Sequence, residues 1–216
     1  MGVHEKGISV NIFFDLDGTL LDSRKRLYIL FCDLVHVCNL TFEQYWDYKR
    51  NKVSNEAILK QYFQFNEDQI KEFNQQWMLK IELEEYLDLD TTYEGVIDLL
   101  HELAASHFLY VVSHRQFEDT AVTQLRKLQL LPYFQRVLIT NQRVKKESII
   151  RSWVHSIHES DVLVGDTGHD VQTARELGII SVAVSNGFLN KKVLETYQPD
   201  FLFDSVADID FKKLGL

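Results

Sequence analysis

The residues best equipped for chemistry are acidic and come in two short groups. One is Asp15-Leu16-Asp17-Gly18-Thr19, directly after the apolar Phe13-Phe14; the other is Asp166-Thr167-Gly168-His169-Asp170, directly after Val162-Leu163-Val164-Gly165. Two carboxylates two residues apart are costly to bury unpaired, and the glycine behind them permits a tight turn that exposes them. Taken singly, Asp-Gly is also an ordinary turn signal, but here the acidic pattern recurs at the end of a second apolar run. Ser113 closes a third run, and Lys145-Lys146 open a helical pattern further on. Brought together, such groups suit phosphoryl transfer. A hard Mg²⁺ takes carboxylate oxygens and keeps several waters, while hydroxyl and ammonium donors hold the phosphoryl oxygens. One carboxylate can attack phosphorus to form an aspartyl-phosphate, and a second can protonate the leaving oxygen.

The elements that must position these groups are legible as patterns. Residues 8–16, 108–113, 137–140, 161–165 and 179–184 are rich in β-branched and aromatic residues and nearly continuously apolar, as in parallel strands covered on both faces. Helical spacing of apolar residues marks 93–105, 117–130 and 148–157 between them. The alternation predicts an α/β protein, a Rossmann-like parallel sheet flanked by helices, with the strands' carboxyl ends along one edge where ligands bind. Residues 21–90 break the alternation: they contain no Gly or Pro and carry four helical stretches, 27–40, 42–50, 55–63 and 67–87, dense in aromatics. At helical spacing those aromatics read as a core of their own. The expected division is an α/β core of residues 1–20 and 91–216 with an inserted all-helical domain, 21–90.

The sequence resembles the haloacid dehalogenase superfamily, in the branch with a helical cap inserted just after the first motif, and is most similar to the phosphoglycolate-phosphatase-like group. Residues 15–23, Asp-Leu-Asp-Gly-Thr-Leu-Leu-Asp-Ser, match that family's first motif. Gly165-Asp166-Thr167-x-x-Asp170, continuing Gln172-Thr173-Ala174-Arg175-x-x-Gly178, matches its last, and Ser113 after Tyr110-Val111-Val112 fits its second. The resemblance covers essentially the whole chain. It implies that Asp15 is the nucleophile and a Mg²⁺ ligand, that Asp17 is the general acid and base and a ligand through its carbonyl, and that Asp166 completes the metal set. Asp170 is counted with the metal residues but is expected to orient the lysine or a metal-bound water. The third motif departs from the common Lys-Pro-x-Pro, reading Val144-Lys145-Lys146-Glu147-Ser148; Lys146 is the expected motif lysine and Lys145 the fallback. Gly18, Thr19 and His114 are expected to contact substrate, although loop exposure explains His114 and Arg115 as readily. Lys49, Arg50 and Lys52 fall where similar caps turn over the active site, so they are counted as substrate contacts against the ordinary reading of a solvated charge run.

Composition narrows the classes. A net charge of −9 over 216 residues argues against a nucleic-acid surface, and no apolar stretch approaches the roughly 18 residues of a membrane span. The opening residues Met1 to Lys6 lack the pattern of a secretory leader or a myristoylation signal, and the final residues lack a prenylation cysteine. Cys32 and Cys38, six apart in a helical pattern, read as free thiols on different faces. A cytoplasmic protein, monomer or homodimer, is expected. His155 and His158 lack further ligands nearby and read as surface residues, and His169 as a poor Mg²⁺ ligand. The sequence-level conclusion is a Mg²⁺-dependent phosphatase acting on a small phosphorylated metabolite through an aspartyl-phosphate. A phosphomutase of the same branch shares all these residues and is the alternative within enzymes. From another class, a receiver-like phospho-aspartate signalling module also gathers aspartates and a lysine at strand ends, but is much shorter and has no helical insertion. A dehalogenase needs no acid at position 17.

Overall fold

A computed structural model describes residues 9–215 of the chain. Ile8, expected to open the first strand, the leader reading of Met1 to Lys6 and the last residue, Leu216, lie outside the described residues. The core is a six-stranded sheet of order β5-β4-β1-β6-β7-β8, parallel at every pairing. Its strands are β1 (Asn11–Phe14), β4 (Phe108–Ser113), β5 (Arg136–Ile139), β6 (Val162–Gly165), β7 (Ile180–Val184) and β8 (Phe201–Phe203). Side-chain alternation on buried strands explains the layers. Ile12 and Phe14 face α6 (Val96–Ala104) and α7 (Glu118–Lys127), packing with Leu100 and Leu125. Phe13 faces the opposite way, toward Ile150 of α8 (Lys146–Trp153) and Ala174 and Leu177 of α9 (Gly168–Leu177). β8 was missed in the sequence because three residues, none of them fully buried, make too short an apolar run.

A short antiparallel pair, β2 (Leu21–Asp22) with β3 (Thr91–Thr92), brings the two ends of the helical insertion together. Between them lie α1 (Arg24–Val35), α2 (Phe42–Arg50), α3 (Asn55–Tyr62), α4 (Glu67–Lys80) and α5 (Glu84–Leu87). The aromatics do form a separate core: Phe31 lies 4.8 Å from Tyr45 and 5.5 Å from Phe73 between ring centroids. Two expectations are corrected. The stretch 67–87 is two helices, because Leu83 is extended (ψ 146) and the buried Glu82 turns to the core. Cys32 and Cys38 are not free thiols; they are joined in a disulfide. α1 stops at Val35, and His36 at φ 61 turns the chain back, placing the two Cα atoms 5.0 Å apart. No helix among the described residues is long and apolar enough to cross a membrane. α8 ends at Trp153, so His155 and His158 share no helix face and both are exposed.

Candidate active site

β1 lies between β4 and β6, and the chain leaves it in one direction toward β4 and β5 before crossing back to β6. This is a topological switch point, where the carboxyl ends of open parallel sheets form a crevice. Four loops meet there. Phe14 pairs with Val111 on one side and Val164 on the other, so Ser113, at the end of β4, and Asp166, just past β6, lie one residue beyond the level of Asp15 on neighbouring strands. The Asp15 N–H donates to Val164 O at 2.9 Å, carrying the sheet one residue past β1. Lys146, the first residue of α8, reaches the same point and hydrogen-bonds Asp15 Oδ1 and, at 2.6 Å, Asp170 Oδ1. Lys145 is exposed instead, beside Glu147 and Glu176.

Asp170 sits in the first turn of α9, where its Oδ2 accepts from the Thr167 N–H at 3.1 Å and the Thr167 hydroxyl at 2.6 Å. Both of its oxygens are thus engaged, which fits a residue that orients Lys146. Asp166 is fully buried and accepts from Thr19 Oγ1 at 3.1 Å and the Phe188 N–H at 2.6 Å. Thr19 therefore serves Asp166, while Gly18 makes room for it: a Cβ on Gly18, which sits at φ 87, would lie 2.3 Å from Asp166 Oδ2. Gly187 is in the same position from the other side, at 2.2 Å.

Carboxylate oxygens of Asp15, Asp166 and Asp170 lie within 4.8 Å of one another. Lys146 bridges Asp15 and Asp170 but does not bond Asp166, and burial, followed by the charges of Asp15 and Asp170, pushes the Asp166 carboxyl well above its usual range. Excess negative charge on hard oxygen donors in a dry cluster is what a divalent hard cation balances, so the residues present fit Mg²⁺. Burial likewise raises the Asp15 carboxyl against the pull of Lys146. Burial disfavours the Lys146 ammonium too, but Asp15 and Asp170 outweigh it and keep the side chain charged.

Asp17 is held differently. Its Oδ1 accepts from Ser23 Oγ at 2.8 Å, from Arg26 and from Arg115 Nη2 at 2.7 Å, and its Oδ2 accepts from Arg115 Nε at 2.8 Å. Behind both arginines stands Asp90, 3.1 Å from Arg26 Nε and 3.4 Å from Arg115 Nη2. Burial opposes the Asp17 charge, yet Arg115 and then Arg26 outweigh it and hold the carboxyl well below the usual range. Arg26 comes from the insertion, Arg115 from the loop after β4 and Asp90 from the residue before β3, so this network ties Asp17 to the insertion. Sequence reasoning missed Arg26 and Asp90. The available signal was Arg26 on the same helical face as Leu27 and Leu30, a charge where the pattern calls for core.

A cavity of about 250 Å³ opens above these groups, with Asp15, Asp17, Ser113, His114, Lys146 and Thr167 on its wall. His114 hydrogen-bonds Thr140 Oγ1 through Nδ1 at 3.1 Å, and its Nε2 is buried without a partner. Burial pushes the ring down to about 4, so it is neutral. Lys49, Arg50 and Lys52 are not brought to this cavity. Lys49 donates to Asn55 Oδ1 within the insertion, Arg50 donates to the Ser185 carbonyl, and Lys52 lies 5.2 Å from the centre of the Tyr197 ring. The turn after α2 docks on the core instead of facing the crevice, because Arg50 and Lys52 find partners there, while Lys49 is held within the insertion. A second tether lies between α4 and α5, where Glu82 accepts from the Gln116 and Phe117 N–H groups and the Thr120 hydroxyl.

Comparison with known proteins gives the family. A family model described as haloacid dehalogenase-like hydrolase matches residues 12–184. The pyrophosphatase PpaX of Listeria monocytogenes is 22% identical over 218 residues, covering 94% of this chain and 95% of that protein. A haloacid dehalogenase-like family hydrolase from Streptococcus pneumoniae superposes with a TM-score of 0.74 at 25% identity, covering 91% of this chain and 94% of the other. A HAD-superfamily hydrolase of subfamily IA from Geobacter sulfurreducens gives 0.71 at 18% identity, covering 98% and 99%.

Proposed function

The chain belongs to the haloacid dehalogenase-like hydrolase family and is a phosphatase-type hydrolase, and we propose that it cleaves small phosphomonoesters through an aspartyl-phosphate on Asp15 with Mg²⁺ as its metal. The observation that carries this reading is the meeting of Asp15, Asp166 and Asp170 at the exits of neighbouring strands, three buried carboxylates of which Asp15 and Asp170 are bridged by the Lys146 ammonium. Asp15, Asp166 and the Asp17 carbonyl would hold the metal, which when bound supplies positive charge against the phosphoryl oxygens. Lys146, fixed by Asp170, holds the Asp15 carboxylate in place and offers its remaining hydrogen to a phosphoryl oxygen, as Ser113 does from the end of β4. An Asp15 oxygen attacks phosphorus as the bond to the leaving oxygen breaks; Asp17, ionised between Arg115 and Arg26 in this structure, must come off those arginines and take a proton from solvent to pass it to the leaving oxygen, after which its carboxylate takes a proton from the water that attacks the phospho-aspartate. His114 Nε2, buried and unpartnered, is available to the substrate. Residues 21–90 act as the cap over the crevice, held at the α2 and α4 tethers, and excluding water is its part in the chemistry.

The test is turnover of a phosphomonoester panel, with pyrophosphate included. Activity should vanish in excess chelator, return with Mg²⁺ and be inhibited by Ca²⁺, whose looser shell misplaces nucleophile and phosphate. Full activity in metal-free buffer, or no turnover of any phosphate compound, overturns the reading.

A further inference from the structure

The crevice has two unlike halves. Its floor is the charged group already described. Its roof is apolar: Leu27 of α1, Trp77 and Met78 of α4, and Ile81 just beyond α4, with Phe188 of the core closing one side. Two of these are set in place by neighbours. Trp77 stacks on the buried Phe73 with ring centroids 5.7 Å apart, and Phe188 is fixed by its N–H bond to Asp166 and by Trp46 at 5.6 Å.

Charge around the crevice decides what that roof can receive. The crevice and its surroundings hold three cations, Arg26, Arg115 and Lys146, and six carboxylates: Asp15, Asp17, Asp90 and Asp170 paired with them, Asp166 beside Asp15 and Asp170, and Glu82 on the cavity wall. With Asp17 ionised a divalent metal leaves this set one charge negative, and with Asp17 protonated for the leaving oxygen it leaves it neutral, before any phosphoryl group enters. In this structure both arginines, although on the cavity wall, are paired with Asp17 and Asp90, Lys146 with Asp15 and Asp170, and Glu82 with the core. Lys49, Arg50 and Lys52, which could have served a second anion, are bound elsewhere. A carboxylate or second phosphate beneath the roof would lose its water for no cation, which is heavily unfavourable. The cavity, about 250 Å³, also lies below the roughly 300–1,000 Å³ of sites for drug-sized ligands.

We infer that the leaving group of the substrate is small, uncharged and apolar, a single aromatic ring or branched alkyl group seated against Trp77, Met78, Ile81 and Phe188, so the substrate class is the phosphomonoesters of such alcohols. This rests on the phosphatase reading and sharpens it. Trp77, Met78 and Ile81 are the specificity-determining side chains; they touch the leaving group and none of the reacting atoms.

The test compares kcat/KM of the full chain with Mg²⁺ on benzyl phosphate, methyl phosphate, phosphoglycolate and pyrophosphate, with acetyl phosphate as a generic phosphoryl donor. Benzyl phosphate should exceed phosphoglycolate and pyrophosphate by about tenfold or more, the scale of small apolar discrimination. Trp77→Ala should lose about tenfold on benzyl phosphate, mainly in KM, and far less on methyl phosphate. Ile81→Arg, which adds a cation to the roof, should reverse the ranking toward phosphoglycolate, and keeps the test sharp if Trp77→Ala fails to fold. A preference for phosphoglycolate or pyrophosphate in the unmodified protein, with acetyl phosphate turned over, overturns the inference and leaves the phosphatase reading standing. No turnover of any of the five compounds removes both.

Discussion

Replacing Lys49 by Met separates the roles that sequence and structure give this residue. Lys49 lies on α2 with its ammonium 3.1 Å from Asn55 Oδ1, a neutral partner, and burial lowers its pKa from 10.5 to about 8. In the unfolded chain the same group titrates near its free value, about 10.4. Between about pH 8 and 10.4 the unfolded state therefore binds more protons than the folded one, and stability rises with pH across that window. Below pH 8 the full penalty is present. A shift from 10.5 to about 8 corresponds to a ceiling of about 3 kcal/mol, at 1.36 kcal/mol per unit. Lys49→Met keeps most of the stem and deletes the charge, so it should stabilise the protein at pH 7 by up to that amount. For a domain of this size that is roughly 6–12 °C in Tm. Urea unfolding of both proteins at pH 7, 8.5 and 10 measures it: the difference between them should shrink as pH rises, with kcat/KM for phosphomonoesters unchanged throughout. A Lys49→Met protein less stable at pH 7, or with KM for anionic substrates raised tenfold, would return Lys49 to the substrate and refute the reasoning.

Three further outcomes follow from the site and the insertion. Asp90→Asn removes the carboxylate behind Arg26 and Arg115, leaving buried positive charge undercompensated, and should cost about 3 kcal/mol in urea unfolding; a loss below about 1 kcal/mol would mean the network is wetter than it looks. Asp17→Asn should slow alkyl phosphates by about 10²–10⁴ and nitrophenyl phosphate less, since a phenolate needs little protonation; equal losses on both would confine Asp17 to structure. Ellman titration of the denatured protein should find no thiols before reduction and both cysteines after it, as the Cys32–Cys38 bond requires; two thiols without reductant would contradict that bond.

The parts of the fold that local pattern dictates were legible in the sequence. Strands covered on both faces leave runs such as Leu163-Val164 that need no context to recognise, and the acidic groups at their ends announce the crevice. What failed depends on partners distant in the chain. Glu82 leaves its helix because the N–H groups opening α7 donate to its carboxylate, which caps them, and nothing within residues 67–87 records that. Cys32 and Cys38 meet because α1 stops at Val35, a boundary the apolar spacing runs past. Lys49, Arg50 and Lys52 form a charge run in sequence, but carbonyl, amide and ring partners on α3 and the core decide where each one points. Arg26 and Asp90 are 64 residues apart, and their pairing through Asp17 exists only once β2 and β3 close the insertion. The acidic cluster was thus readable from motif and strand order, while the apolar residues of the insertion that line the cavity above it were not.

The most direct test of the central claim is chemical trapping of the phosphoenzyme. Turnover of a good phosphoryl donor with Mg²⁺ is quenched in acid, the protein is reduced with borohydride, which converts a phospho-aspartate to homoserine, and peptides are mapped by mass. The account predicts conversion at Asp15 alone, dependent on both Mg²⁺ and substrate, and increased in Asp17→Asn because the water attack loses its base. Conversion at another residue, or none while product forms at full rate, would contradict it.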